Sequence, residues 1–223
     1  MMKVKINNNF LKKINNLIFA TIGILIIVLS INYNQYSAEK KTLELVKLTK
    51  NEYEIKEGNE NAKVKIFVFE SLTCPHCADF HKNIYPSLKT DFIDKGLVQI
   101  YFKNFPLDLA GLNAAKITHC LDNDKRLIFL HHLYKTQNKW TKGETIEDIN
   151  KNLKKALDNF GIKNIDFQQC INDEEIEDLV LNERIEASKK YKIQSTPTIV
   201  INEKKFGKPL EYKNLKKAIE KLI

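Results

Sequence analysis

Glycine and proline are scarce, seven and five in 223 residues, which excludes collagen-like and low-complexity architectures. Self-similarity at a period of about 20–50 residues, the mark of solenoids and arrays, is also missing. The charge balance is basic, with 36 Lys and Arg against 28 Asp and Glu and a formal net charge of +8. Yet no basic stripe accompanies it. The lysines are spread along the chain among Asn and Ile, the bias of AT-rich codons, so no nucleic-acid partner is expected. Cysteine is limited to four residues, and what they can do depends on the compartment.

The N-terminus speaks to that compartment. Lys3, Lys5, Lys12 and Lys13 precede an apolar run, Leu17 to Ile31. A positive segment ahead of an apolar one is the pattern of a secretory signal. The run is shorter than the ~20 residues that comfortably span a bilayer. Cleavage after Ala38 would leave Tyr36, not a small residue, at the −3 position. Residues 1–38 are therefore a signal peptide or a retained membrane anchor, and both alternatives stand. A buried core helix fits poorly, because the run has no polar face. In either case the lysines stay inside and the rest of the chain is exported, where thiols can oxidise and an even cysteine count suggests pairing.

Residues 39–62 are polar and read as a linker with room for one short helix near Leu43–Leu48. Val64-Lys65-Ile66-Phe67-Val68-Phe69 is a buried strand by its β-branched and aromatic content. A helix is expected from Cys74 toward Lys89, kinked or ended by Pro86, and then a second strand at Gly96–Phe102. Strand, helix and strand at this length make a βαβ unit with parallel neighbours over 63–107. Residues 108–190 are helical, with Asp108 and Asp173 as N-caps and Gly161 as a C′ residue. Residues 191–223 return to strand chemistry at Thr198–Ile201, with a hairpin partner near Lys205-Phe206 and a closing helix carrying Leu215, Ala218, Ile219 and Leu222. The whole is one α/β layer interrupted by a helical insertion.

Cys74-Pro75-His76-Cys77 follows the first strand and opens a helix. There unpaired backbone N–H groups and the helix dipole stabilise an anion, and the thiolate is the form that attacks a disulfide. Pro75 costs nothing in a first turn, and His76 can favour the thiolate further. Cys77, one turn on, can close a disulfide or resolve a mixed one. A stabilised Cys74 thiolate is a better leaving group, which makes the pair an oxidant. Half of a zinc site is the rival reading, with His81 as a third ligand at i+7, but three ligands on one straight helix converge poorly on a metal. No metal and no cofactor is expected. A purely structural disulfide constrains the chain little across so short a ring.

Ser195-Thr196-Pro197-Thr198 stands immediately before a strand. Together with Phe69-Glu70-Ser71-Leu72-Thr73-Cys74-Pro75-His76-Cys77 and Lys103-Asn104-Phe105-Pro106-Leu107-Asp108, it resembles the DsbA family of bacterial disulfide-introducing proteins, from about Glu57 to the C-terminus. The resemblance implies an α/β thioredoxin-like fold with an inserted helical domain. It also implies a redox-active Cys74–Cys77 disulfide and a cis Thr196-Pro197 bond whose backbone pairs with substrate. Many members carry a buried acid six residues before the nucleophile. Here that position is Val68, and Glu70, which points the same way along the strand, is expected to face solvent. Some relatives hold a second, structural disulfide in the helical domain. Cys120 and Cys170 are expected to form one, with two buried free thiols as the alternative. His119, His131 and His132 are read as ordinary helix histidines, while His81, on the Cys74 side of its helix, is a candidate for tuning the site.

The function expected from these readings is a periplasmic dithiol oxidase, free or tethered to the inner membrane, and monomeric. Its partners would be unfolded exported proteins with reduced cysteines and, in the family, a DsbB-type membrane reoxidant. A reductase or isomerase on the same fold is the first alternative, although isomerases dimerise through an extra N-terminal domain for which residues 32–60 are too few. A non-enzymatic peptide-binding module is the second, and has no use for a reactive thiol.

Overall fold

The structure, a computed structural model, describes residues 52–223 and, ahead of them, Leu29, Asn32, Tyr33, Gln35 and Tyr36. The chain divides into two compact units, Met1–Glu52 and Tyr53–Ile223. Apart from Leu29, the apolar run read as signal or anchor lies outside the described residues, as does the short helix near residues 43–48. Among the described residues no helix is long and apolar enough to cross a membrane.

The second unit is built on a five-stranded sheet in the order β1-β3-β2-β4-β5. Its strands are β1 (Ile55–Gly58), β2 (Val64–Glu70), β3 (Val98–Asn104), β4 (Thr198–Ile201) and β5 (Lys204–Lys205). β2 and β3 run parallel, with Val64 opposite Val98 and Glu70 opposite Asn104. β4 returns antiparallel on the other side of β2, placing Thr198 opposite Phe69. β2 is thus the central strand, with a core on each face. Val64, Ile66 and Val68 are fully buried on one face, each worth about 1.5–3 kcal/mol of removal from water. On the other face Phe69 packs with Phe105, Ala187, Ile193 and Val200.

β1 corrects the linker reading. Ile55–Gly58 pair antiparallel with β3, Ile55 opposite Phe102. Only Ile55 of the four is buried, and one apolar residue in a short polar edge strand leaves no period-two pattern to detect.

The first helical segment also departs from a single run. α1 (Pro75–Asn83) ends before α2 (Tyr85–Leu88), which carries Pro86 in its first turn, and a π-helical turn at Lys89–Ile93 follows. Pro86 has no N–H to continue the α1 ladder, so it begins a new helix instead.

The insertion comprises α3 (Leu109–His119), α4 (Asn123–Lys135), α5 (Gln137–Trp140), α6 (Ile146–Phe160), α7 (Phe167–Ile171) and α8 (Glu174–Tyr191), and α9 (Tyr212–Glu220) closes the chain. Side-chain caps start the longer helices: Asp108 accepts from the Gly111 amide, Thr145 and Asp148 form a capping box, and Asp173 accepts from the Ile176 amide. Gly161 ends α6 at φ 94°, a left-handed turn that suits glycine.

A polar cluster ties α8 to the end of β3. Glu183 accepts from Lys103 Nζ at 3.1 Å, the Asn104 amide at 2.8 Å and Asn104 Nδ2 at 2.8 Å. Burial opposes the Lys103 charge, yet Glu183 and Glu54 hold its pKa above the usual lysine value. His119 of α3 takes Asn104 Nδ2 at 2.7 Å on Nε2, and burial pushes its pKa down to about 4. It stays a neutral acceptor that locks α3 to the sheet.

Cys120 and Cys170 are joined in a disulfide, with Cα atoms 5.9 Å apart and 50 residues between them in sequence. It links the end of α3 to α7. Closing so long a loop removes about 4 kcal/mol of unfolded-state entropy in the chain-entropy model. Cys120→Ala with Cys170→Ala is expected to lower the melting temperature by about 8–16 °C, at about 2–4 °C per kcal/mol for a domain this size. Dithiol exchange at Cys74 should persist. Differential scanning calorimetry of the two proteins checks the first, and an unchanged melting temperature would show that the bridge adds nothing.

Candidate active site

Four chain segments meet at the C-terminal edge of β2. The first is the loop after that strand. Ser71 Oγ and Thr73 Oγ1 are 3.0 Å apart, Thr73 Oγ1 donates to Asp108 Oδ2 at 2.9 Å, and the Leu107 amide donates to Ser71 Oγ at 3.3 Å. Asp108 therefore caps α3 and clasps the cysteine loop at once. The clasp requires Gly111: a Cβ there would lie 2.9 Å from Ser71 Oγ and 3.1 Å from Thr73 Oγ1. The second segment is α5, from which Gln137 Nε2 donates to the carbonyls of Leu72 at 2.7 Å and Cys74 at 3.0 Å. Nothing in the sequence around Gln137 signals this contact, because it depends wholly on tertiary placement.

Cys74 is the N-cap residue of α1, with Pro75 in the first turn. It is 6% exposed, whereas Cys77 is fully enclosed, and both are thiols here. The Cys74 pKa falls from its usual 9.0 to about 5. The largest cause is the hydrogen bond from the Cys77 side chain. Burial opposes the shift, and the Thr196 hydroxyl and the backbone N–H groups of Cys77 and His76 add to it. His76 is exposed and acts through its amide, so the imidazole contribution expected from the sequence is replaced by a backbone one. Cys77 is displaced the opposite way. Burial, its bond to Cys74 and the Glu70 charge push its thiol far above the usual range.

The third segment is the loop before β4. Since Thr198 pairs with Phe69, residues 195–197 fall beside the strand end from which the cysteine loop departs. The Thr196-Pro197 bond is cis. Cys74 Sγ lies 3.4 Å from the Thr196 carbonyl oxygen, so two motifs more than a hundred residues apart in sequence meet at one sulfur.

The fourth segment is α4, and it overturns two expectations. Glu70 does not face solvent. It is 5% exposed, and its Oε2 is 2.8 Å from His81 Nε2. β2 is central and its Val64-Ile66-Val68 face continues to Glu70, so period-two alternation carries the carboxylate inward. His131 is not an ordinary helix histidine either, because its Nδ1 is 3.0 Å from His81 Nδ1. His81 is itself 8% exposed and stacks on Tyr134 with ring centroids 4.0 Å apart. His132 instead packs against Phe129 and Phe160.

Chemically, the site couples an acidic thiol at a helix terminus to an enclosed, proton-holding one. That asymmetry suits dithiol–disulfide exchange. Comparison with known proteins agrees. The profile of a family described as Thioredoxin matches residues 50–221. A probable disulfide bond formation protein D of Bacillus anthracis is 32% identical over 170 residues, covering 74% of this chain and 76% of that protein. Disulfide bond formation protein D of Bacillus subtilis is 29% identical over 172 residues, covering 74% of each. The crystal structure of Wolbachia pipientis alpha-DsbA1 superposes with a TM-score of 0.69 at 30% identity, covering 76% of this chain and 90% of that one.

Proposed function

Because this chain belongs to the DsbA-like thiol–disulfide oxidoreductases of the thioredoxin superfamily, we propose that it works as a dithiol oxidase of exported proteins through Cys74 and Cys77. A client thiolate attacks Cys74 of the oxidised pair, and the Cys77 sulfur leaves and takes up a proton. A second client thiolate then attacks the client sulfur of the mixed disulfide and expels Cys74 as thiolate. The client gains a disulfide, and two electrons remain on the pair. Reoxidation reverses the roles. Cys74 attacks the disulfide of a reoxidant, and Cys77 resolves that mixed disulfide. The Ser195-Thr196-Pro197 loop forms the wall along which the client backbone lies, a placement supported by the Thr196 carbonyl at the Cys74 sulfur.

The observation that carries the oxidising direction is the Cys74 pKa of about 5. A stable thiolate leaves readily and favours the reduced pair. Equilibration of the pair with glutathione should give a potential closer to the about −120 mV of a strong oxidant than to the about −270 mV of thioredoxin. A value at the thioredoxin end would reassign the protein as a reductase. The periplasm as location, with a DsbB-type membrane reoxidant, rests on the lysine-flanked apolar run at residues 17–31. Fractionation of cells carrying the tagged full chain tests it, and recovery in the cytoplasm would overturn it.

A further inference from the structure

Three consecutive residues of the cysteine loop are held by two different parts of the helical insertion. Thr73 donates to Asp108, which caps the insertion's first helix. Leu72 and Cys74, on either side of it, both give their carbonyls to Gln137, the first residue of α5. The clasp at Thr73 joins side chains. The one at Gln137 acts on the backbone, and the backbone decides where the Cys74 sulfur stands.

Gln137 is buried, and Leu72 is as well. The Leu72 carbonyl therefore needs a donor, and Gln137 Nε2 supplies it at 2.7 Å. The Cys74 carbonyl already starts the α1 ladder, accepting from the amides of Cys77 at 3.1 Å and Ala78 at 3.2 Å. Gln137 brings a third N–H to that oxygen at 3.0 Å. One side chain thus fixes the peptide groups on both sides of the Thr73–Cys74 peptide. The groups that stabilise the Cys74 thiolate are the Cys77 and Thr196 side chains and the amides of Cys77 and His76. All of them are hydrogen-bond donors, which weaken steeply once distance and angle are lost.

Gln137 can hold the loop because α5 is itself held. Only Thr136 separates α4 from α5, and its amide donates to the His132 carbonyl at 3.0 Å. The enclosed Trp140 donates Nε1 to the Leu133 carbonyl at 2.9 Å, pinning α5 to α4. Thr141 Oγ1 donates to the carbonyl of Gln137 at 2.7 Å. We infer that Gln137 is a positioning residue for dithiol exchange, carrying the rigidity of the α4–α5 corner to the cysteine loop and keeping the Cys74 sulfur at the α1 N-terminus. This inference rests on the exchange reaction proposed above. It gives the helical insertion a part in setting how strongly the pair oxidises, since the thiolate it supports exists only in the reduced pair.

The test compares full-length variants by thiolate absorbance against pH and by equilibration with glutathione. Gln137→Met keeps the length and bulk of the side chain without a donor. It should raise the Cys74 pKa enough to cost about tenfold in thiolate stability. The potential should then fall by about 30 mV, the equivalent of tenfold for a two-electron couple. Thr141→Ala loosens α5 without touching the loop, so it should lower the melting temperature and leave both readouts at native values. Native titration and potential in Gln137→Met, whatever its melting temperature, would overturn the role, and so would an equal change in Thr141→Ala. If Gln137→Met does not fold, Gln137→Asn decides. Its amide is one methylene short of the two carbonyls, so both readouts should move the same way by less, and native values there would overturn the role. A native Cys74 that forms no mixed disulfide with glutathione would instead overturn the exchange reaction, while the thiolate titration would still decide the placement by Gln137.

Discussion

Cys77→Ala is expected to abolish turnover and to leave Cys74 in long-lived mixed disulfides. The variant keeps the α1 N-terminus and the Thr196 contact, so Cys74 remains able to attack a disulfide. No second sulfur then lies within reach to expel the partner. The Cys77 hydrogen bond, the largest cause of the low Cys74 pKa, is lost too, and the remaining thiolate should titrate higher than in the native protein. Cys74→Ala should behave differently and form no adducts, since Cys77 is fully enclosed and holds its proton tightly. Non-reducing gels of the full chain, incubated with disulfide-bonded peptide, separate the two outcomes. Turnover that survives in Cys77→Ala would mean that the paired-thiol mechanism is wrong.

The parts of this molecule that local chemistry determines are legible in its sequence. The parallel β2–β3 pair followed from two β-branched runs flanking a helix, and the caps at Asp108, Gly161 and Asp173 followed from residue type alone. Cys74 at the α1 N-terminus was legible for the same reason: a motif of four residues carries its own geometry. Glu70 shows where such reading stops. Its alternation with Val68 placed it inward, but a lone carboxylate on a strand is normally solvated. What tips it inward is His81, eleven residues on, and the central position of β2 in the sheet. Sequence spacing shows neither of these. His131 and Gln137 are out of reach altogether, because each meets the site only through a partner at least fifty residues away in sequence. β1 was missed for the opposite reason. It is too short to have a pattern, and its identity as a strand comes from the edge of β3 that it covers.

The stability of the reduced protein is expected to rise with pH between about 5 and 9, relative to the oxidised protein. Cys74 releases its proton near 9.0 in the unfolded chain and near 5 in the fold. Between those values the unfolded chain binds the extra proton, so unfolding takes one up and becomes less favourable as pH rises. The contribution is complete above the unfolded value and vanishes as pH falls through the folded one. Cys77 does not blur this window: its thiol stays protonated in the fold far above the usual range, so its opposing effect begins only where an unfolded cysteine ionises, near 9.0. The oxidised protein has no titrating sulfur at this pair and keeps every other charge, which makes it the natural reference. Calorimetry of both forms across the range should therefore show the reduced form gaining on the oxidised one as pH rises, with the gain starting near pH 5. The same window fixes when the enzyme oxidises well. The thiolate that stabilises the reduced pair is the product of client oxidation, so acidification toward pH 5 should weaken the oxidant along with the stability difference. A melting-temperature difference that stays flat from pH 5 to 9 would place the Cys74 thiol at an ordinary value and remove the driving force assigned to it.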